Sequence, residues 1–209
     1  MKLSLGEAKI VLGNLICWYY SIISRFWLRL RFPMIKVGDG FRSRGGIPFF
    51  YCSLSGKMEI GKQLTLVNST HYNYMGIIKE CSIIAGKNAF LKIGDFCGFS
   101  GISIYASQYI EIGDHVMIGG NCFIWDTDFH SLRFDQRKIE LEYGTSAGVS
   151  SKPIRIADGV FIGANSIILK GVSIGSKSIV GAGSIVSKDI PPEEIWAGNP
   201  ARFISKLKE

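Results

Sequence analysis

Four neighbouring residues carry side chains that could do chemistry: Trp125, Asp126, Asp128 and His130, in the stretch FIWDTDFHSLRFD that begins at Phe123. A neutral imidazole, with a pKa near about 6.5, can take a proton from a hydroxyl group at neutral pH. Its second nitrogen needs a partner that fixes the tautomer, and the two aspartates are the nearest candidates. His130 is therefore a candidate general base with Asp128 as its partner, although both aspartates could simply shape a turn.

A period of six residues precedes this cluster and returns after it. Glycine directly follows many of the repeated positions, and weaker copies begin at Val37, Ile60 and Ile93. Helices repeat at about 3.6 residues and strands at about 2, so a period of six predicts a short strand plus a turn. Three such units would form one triangular coil of a solenoid. The repeated aliphatic residues are Ile112, Ile118, Ile124, Ile156, Ile162, Ile168, Ile174, Val180 and Val186.

The period breaks after Ile124, and His130 occupies the next place in the count. The next core residue we predict is Ile156, 32 residues after Ile124, which is not a multiple of six. The polar segment from about 129 to 153 should therefore leave the solenoid as a protruding loop. Long loops on rigid scaffolds commonly carry function, so His130 is expected at the rim of the regular structure.

Residues 1–34 form a separate N-terminal segment that we predict to be an amphipathic helix ended by Pro33. Residues 10–24 carry no charge, and this run is shorter than the roughly 20 residues that span a bilayer. Trp and Tyr residues beside Arg25, Arg29 and Arg31 suit a membrane interface. The helix could instead pack on the main domain or in an oligomer contact.

Composition limits the function classes. The chain has 209 residues and a net charge of +7, most of it before residue 37, so nucleic-acid binding by the main body is not predicted. Its five cysteines are widely spaced without a C-x-x-C pair, which argues against disulfides and zinc ribbons. We therefore expect reduced, buried thiols in a cytoplasmic protein, peripheral on the inner membrane if the helix binds there.

The repeats resemble those of the hexapeptide-repeat acyltransferases. The stretch KPIRIADGVFIGANSIILKGVSIGSKSIVGAGSIVSKDIPPEEIWAGNPARFI is similar to the closing coils of their sugar and polysaccharide O-acetyltransferases, apart from Phe161 in place of the usual Trp. The resemblance covers 93–206 well and 37–92 loosely. It implies an all-β fold, a left-handed parallel β-helix over 35–190, with an N-terminal helix, the protruding loop and a cap with a short C-terminal helix over 191–209. It also implies a homotrimer with sites between subunits.

The same resemblance implies direct acetyl transfer from acetyl-CoA to a sugar hydroxyl, in bacterial surface-polysaccharide synthesis, with His130 as the base. We expect the acceptor to contact Ser100, Trp125 and Asp126. Related enzymes carry Asn where this chain has Gly101, so a larger glycan is favoured over a simple galactoside or maltose. A membrane-facing helix would suit a lipid-linked glycan. The residues implied for acetyl-CoA binding are Ala164, Ala182, Ser187, Lys188 and Arg202.

Alternatives remain on the same fold. A sugar N-acetyltransferase or a serine acetyltransferase would use related chemistry. A γ-carbonic-anhydrase-like enzyme needs three histidines around zinc, and the chain has three: His71, His115 and His130. That family places two of its ligands close together in sequence, whereas His115 and His130 are 15 residues apart. We predict no metal site. The intact His130 and C-terminal motif disfavour a non-catalytic scaffold.

Overall fold

The structure, a computed structural model, describes residues 5–145 and 148–208 and contains a triangular parallel β-helix. Each coil contributes its first strand to sheet A, its second to sheet B and its third to sheet C. Neighbouring coils pair in parallel and in register, so that Ile112 lies beside Ile156 and Ile124 beside Ile168. The triangular solenoid predicted from the period of six and the parallel β-helix implied by the family resemblance are both confirmed.

Six coils make up the solenoid. They comprise β1 (Ile35–Val37), β2 (Arg42–Arg44) and β3 (Phe49–Cys52); β4 (Lys57–Ile60), β5 (Thr65–Val67) and β6 (Ser82–Ala85); β7 (Phe90–Ile93), β8 (Gly98–Ser100) and β9 (Ser103–Ala106); β10 (Tyr109–Ile112), β11 (Met117–Ile118) and β12 (Phe123–Trp125); β13 (Ile154–Ile156), β14 (Phe161–Ile162) and β15 (Ile167–Ile168); and β16 (Ser173–Ile174), β17 (Ile179–Val180) and β18 (Ile185–Val186).

The repeated aliphatic residues stack inside the coils and form one continuous core. Ile112, Ile124 and Ile162 are completely buried, and the small or β-branched residues four places later fill the corners. Glycine is required where one coil lies against the next: a Cβ on Gly163 would overlap the backbone of Ala182. The period of six thus encodes both the inward side chain and the tight corner.

The C-terminal segment differs from the prediction. Instead of a short helix, β19 (Glu194–Ala197) extends sheet B and β20 (Arg202–Lys206) pairs with it in antiparallel fashion. The predicted helix is wrong because the chain turns back after β19 and residues 202–206 pair with that strand, which satisfies backbone groups along its free side. Residue 209 lies outside the described residues.

The predicted N-terminal helix is present as α1 (Leu5–Arg31) and packs on the first coil. Leu28 is buried there, the Ser43 N–H donates to Ser21 Oγ at 2.9 Å, and Arg25 lies 3.4 Å from Asp39. Within residues 5–145 and 148–208, no helix has the length and apolarity needed to cross a bilayer. Residues 1–4 of the predicted segment lie outside the described residues.

Two segments leave the coils, at different corners. Residues 68–81, with a 3-10 turn at Thr70–Tyr72, leave between sheets B and C, at what we call the B–C corner. Residues 126–153 leave between sheet C and sheet A of the next coil, at the C–A corner. This second segment is the predicted loop, and it contains the helix α2 (Phe134–Tyr143); its residues 146 and 147 lie outside the described residues.

Candidate active site

His130 lies at the C–A corner, where the chain leaves the fourth coil, and its side chain is 68% exposed. Its Nδ1 is 3.0 Å from Oε1 of Glu140. Because an ionised carboxylate can only accept a hydrogen bond, the neutral form of the imidazole that makes this contact carries its proton on Nδ1 and presents the lone pair of Nε2. A histidine oriented in this way can take a proton from a bound substrate.

A tight turn presents His130 to the outside. Phe129 has a left-handed backbone with φ of 61°, and the His130 N–H donates to the Asp128 carbonyl at 2.7 Å. A bulky residue rarely adopts this conformation, so the turn needs support from its surroundings. The Phe129 ring provides it by packing against Tyr105 at 5.0 Å and Trp125 at 5.4 Å between centroids.

Glu140 reaches His130 from α2, ten residues further along the chain. The helix ends at Gly144, which has a left-handed backbone and donates its N–H to the Glu140 carbonyl at 2.8 Å. None of the residues of α2 is buried. Glu140 could not be predicted from the sequence because the loop has no repeat period. Only the helical spacing of residues 134–143 could have indicated which loop residues share a helix face with Glu140.

Asp128 does not orient the imidazole, contrary to the expectation from sequence. Both of its carboxylate oxygens lie 2.6 Å from Lys170 Nζ, and each side chain is 21% exposed. Lys170 follows β15 in the fifth coil, which stacks on the fourth coil where the loop begins. The pair therefore anchors the start of the loop to the next coil, and Lys170 is a second residue that sequence reasoning missed.

Asp126 is also structural rather than substrate-binding. It is completely buried, and its carboxylate accepts hydrogen bonds from three backbone N–H groups at 2.6–2.8 Å. The donors belong to the turn below it, at Ser107, Gln108 and Tyr109. With its oxygens occupied in this way, Asp126 has no free face for a sugar.

Trp125 and Ser100 lie at different corners of the coils. Trp125 points outward at the C–A edge, 4.9 Å from the ring of Phe123, and so lies close to the His130 turn. Ser100 ends β8 at the B–C corner, one coil lower. It is followed by Gly101, where an added Cβ would lie 2.8 Å from the Lys79 carbonyl. Within one chain the two predicted acceptor contacts therefore do not meet.

The residues predicted to bind acetyl-CoA also divide between two edges. Ala164 and Ala182 lie above one another at the B–C corner, where the Gly183 N–H donates to the Ala164 carbonyl at 2.8 Å. Arg202 is close to this column, since it pairs with Ala197 in the cap. Ser187 and Lys188 follow β18 and lie towards the C–A corner, on the same edge as His130.

The other two histidines are remote from His130. His115 stacks on Phe96 at 5.1 Å at the corner between sheets A and B, and His71 Nδ1 lies 3.3 Å from Ser69 Oγ in the 68–81 segment. Over the described ranges, no three His, Cys, Asp or Glu side chains come together as potential metal ligands. Cys52, Cys81, Cys97 and Cys122 are free and buried, as expected, whereas Cys17 is half-buried.

Comparisons with known proteins agree with this architecture. Residues 153–188 match the family model of the hexapeptide repeat of succinyl-transferase. Galactoside O-acetyltransferase of Escherichia coli is 34% identical over 146 residues, which are 64% of this chain and 68% of that protein. The enzyme of the same name from Lactococcus lactis is 36% identical over 124 residues, which are 59% of this chain but only 56% of that protein's length.

A solved structure has a similar fold over most of this chain. It is a hexapeptide-repeat-containing acetyltransferase from Vibrio cholerae, crystallised with acetyl coenzyme A. It superposes with a TM-score of 0.57 at 25% identity, covering 90% of this chain and 79% of that one.

Proposed function

This chain belongs to the hexapeptide-repeat acetyltransferases, and we propose that it transfers an acetyl group from acetyl-CoA to a sugar hydroxyl in surface-polysaccharide synthesis. The observation that carries the proposal is the exposed His130, whose Nδ1 is held by Glu140 at 3.0 Å while Nε2 remains for a substrate. This is the geometry that a general base needs at the rim of a rigid scaffold.

The reaction proceeds in one displacement. Nε2 of His130 takes the proton of the acceptor hydroxyl as its oxygen attacks the thioester carbonyl, and Glu140 stabilises the resulting imidazolium. The tetrahedral intermediate then breaks its carbon–sulfur bond. The CoA thiolate leaves and receives the proton from His130, so the products are an acetyl ester and CoA.

The small-residue column at the B–C corner supports a site for acetyl-CoA. Ala164 and Ala182 leave the backbone open along stacked coils, where a long, thin pantetheine arm could lie. Arg202 is exposed at the end of this column, and a guanidinium is suited to phosphate groups. Lys188 and Ser187, on the other edge of sheet C, would contact a cofactor bound to a neighbouring copy.

We also propose a homotrimer, because the two halves of the site lie at opposite edges of sheet C. Residues 121 and 126 bracket β12, and five residues of extended chain span roughly 16 Å. If sheet C of each copy faces a threefold axis, the C–A edge of one copy meets the B–C edge of the next. His130 of one copy then faces Ala164 and Ala182 of its neighbour.

The outer face of sheet C has the composition of such an interface. None of the outward side chains on its strands, all within the described residues, is charged, whereas sheet A presents ion pairs such as Lys92–Glu111. Apolar side chains on an outer face favour burial against another surface. The outward apolar residues of sheet C are Phe49, Tyr51, Ile84, Tyr105, Phe123, Trp125, Ile167 and Ile185.

Helix α2 supports the same assembly. A ten-residue helix is marginal by itself, yet α2 buries none of its residues against its own chain. Leu141 and Tyr143 are 88% and 72% exposed. Contact with the neighbouring copy would bury these side chains and hold Glu140 in position.

The exposed face of α1 supports a peripheral membrane location, on the cytoplasmic face. Trp18 and Phe26 are 64% and 66% exposed, and the helix ends in the basic residues Arg29 and Arg31. Aromatic rings at headgroup depth and guanidinium groups near anionic lipid are favourable. A lipid-linked glycan could then reach the site from the membrane.

The test is acetyl transfer by purified protein to an oligosaccharide acceptor, with methyl β-galactoside as the simple reference acceptor, measured as release of the CoA thiol. His130→Ala should retain its melting temperature, because the side chain is exposed, and should lose turnover by about a hundredfold or more. His115→Ala, at the A–B corner, is the matched control and should keep wild-type turnover. Near-normal turnover of a folded His130→Ala protein would remove His130 from this role.

A further inference from the structure

We propose that Lys79 of one copy binds an anionic group of the acceptor whose hydroxyl lies at His130 of the next copy. The acceptor is then an acidic or phosphorylated glycan, and Lys79 determines that specificity. The proposal rests on the acetyl transfer and the trimer proposed above.

The ammonium group of Lys79 lies between an aromatic ring and a backbone carbonyl. Its Nζ lies 3.5 Å from the ring centroid of Phe123 and donates to the Cys122 carbonyl at 3.0 Å. Among residues 5–145 and 148–208, no carboxylate lies within 4.0 Å of it. An ammonium group has three donors and one is used, so the partly buried charge can still bind an anion.

The backbone on both sides of Lys79 is fixed by buried side chains. Asn121 accepts a hydrogen bond from the Ile78 N–H at 2.8 Å, and Asn68 accepts one from the Cys81 N–H at 2.9 Å. Both asparagines are 5% exposed. Gly101 permits the close approach of this segment, since its φ is +50° and any side chain would press on the Lys79 carbonyl. Lys79 is therefore built into the B–C corner.

Lys79 lies at the level of His130 along the solenoid. It covers Phe123, which begins the same strand whose end leads to the His130 turn. The two residues occupy opposite edges of that coil. In a trimer whose sheets C face the axis, those edges meet at one height, so Lys79 and the imidazole would face one bound glycan from two copies.

The surroundings keep Lys79 available as a cation at neutral pH. Burial lowers the pKa of Lys79 to about 8, which leaves most of the population charged at pH 7. The titratable groups facing it are the thiols of Cys81 and Cys122. Burial raises the pKa of Cys81 to about 11 and also raises that of Cys122, so neither supplies a competing anion.

The experiment compares one neutral acceptor with two anionic ones. Wild-type protein, Lys79→Met and Lys79→Arg are assayed with acetyl-CoA and methyl β-galactoside, galactose 1-phosphate or methyl β-galacturonide. The two anionic probes carry phosphate or carboxylate at different positions of the ring. Lys62→Met, an exposed lysine at the A–B corner, is the matched control.

Wild-type and Lys62→Met proteins should prefer at least one anionic probe. Lys79→Met should lose about tenfold or more in kcat/KM for that probe, with little change for methyl β-galactoside, and Lys79→Arg should retain much of the preference. The preference should also fade as pH rises through about 8, because the charged form of Lys79 is lost there. Equal losses on neutral and anionic probes, or no preference in wild type, would overturn the proposal.

Mixed trimers test the action between copies. A trimer assembled from His130→Ala and Lys79→Met chains contains sites with an intact His130 from one copy and an intact Lys79 from its neighbour. Recovery of the anionic preference in purified mixed trimers supports the proposal. If Lys79 acts within its own chain, no recovery occurs, because every intact His130 then belongs to a chain that carries the Lys79→Met substitution.

Two further readouts separate the possible failures. If no probe is acetylated, binding of galactose 1-phosphate is measured by saturation-transfer NMR. Binding to the wild-type protein but not to Lys79→Met would support the anion site and contradict the proposed reaction. Transfer to methyl β-galactoside without any preference for the anionic probes would support the proposed reaction and contradict the anion site at Lys79. Loss of the trimer in Lys79→Met, with unchanged selectivity, would make Lys79 an interface residue and overturn the proposal.

Discussion

Nδ1 of His130 lies 3.0 Å from Oε1 of Glu140, a residue that reaches it from a helix inside the protruding loop. The side chain of Glu140 is only 19% exposed, whereas that of His130 is 68% exposed. The loop thus contributes both the candidate base and the carboxylate that contacts it. The position of Glu140 relative to His130 therefore depends on the position of α2.

Removing this carboxylate should impair the chemical step. We expect Glu140→Ala to lower kcat for acetyl transfer by about tenfold to a hundredfold, because the imidazole loses its fixed tautomer and the partner of its charged form. KM for acetyl-CoA should change little. Glu142→Ala, in the same helix but paired with Lys138, is the control. A decrease confined to KM would contradict a role in orienting His130.

The Asp128–Lys170 pair should act on the position of the loop. Asp128→Asn and Lys170→Met should each lower turnover and increase cleavage of the loop in limited proteolysis, because the loop loses its anchor to the next coil. The double variant should be no worse than either single variant, since residues in one pair are not additive. Fully additive losses would show that the two side chains act separately.

Asp126 should matter for stability. Asp126→Ala leaves three backbone N–H groups of the lower turn without their acceptor. We expect a loss of about 3 kcal/mol or more in the free energy of unfolding, since each buried unsatisfied group costs about 1–3 kcal/mol. Urea denaturation measures it. The exposed Asp135→Ala variant is the control, and an equal, small effect of both substitutions would show that the carboxylate is dispensable.

The exposed face of α1 should govern membrane association. The double substitution Trp18→Glu and Phe26→Glu should reduce co-sedimentation with vesicles of phosphatidylglycerol and phosphatidylethanolamine, because charged groups replace rings at headgroup depth. Tyr74→Glu, at a fully exposed position in the 68–81 segment, is the control. Unchanged sedimentation with loss of the oligomer in the double variant would assign this face to a contact between copies.

The sequence by itself determined the solenoid, because the repeat is local: each aliphatic residue and each corner glycine constrains only the coil it belongs to and its neighbours. Ile124 and Ile156 marked where the core row stops and resumes, and the break between them located His130. The C-terminal cap could not be predicted in this way because β19 and β20 do not follow the six-residue repeat.

Only the tertiary structure decided which side chains meet His130. Asp128 is close to it in sequence but binds Lys170 on the next coil, while Glu140 is distant in sequence and reaches the ring through α2. Stacking of coils also separated the candidate residues into two edges of sheet C, so that Ala164 and His130 do not meet within one chain. Contacts between coils and across a loop depend on three-dimensional stacking, which no spacing along the chain records.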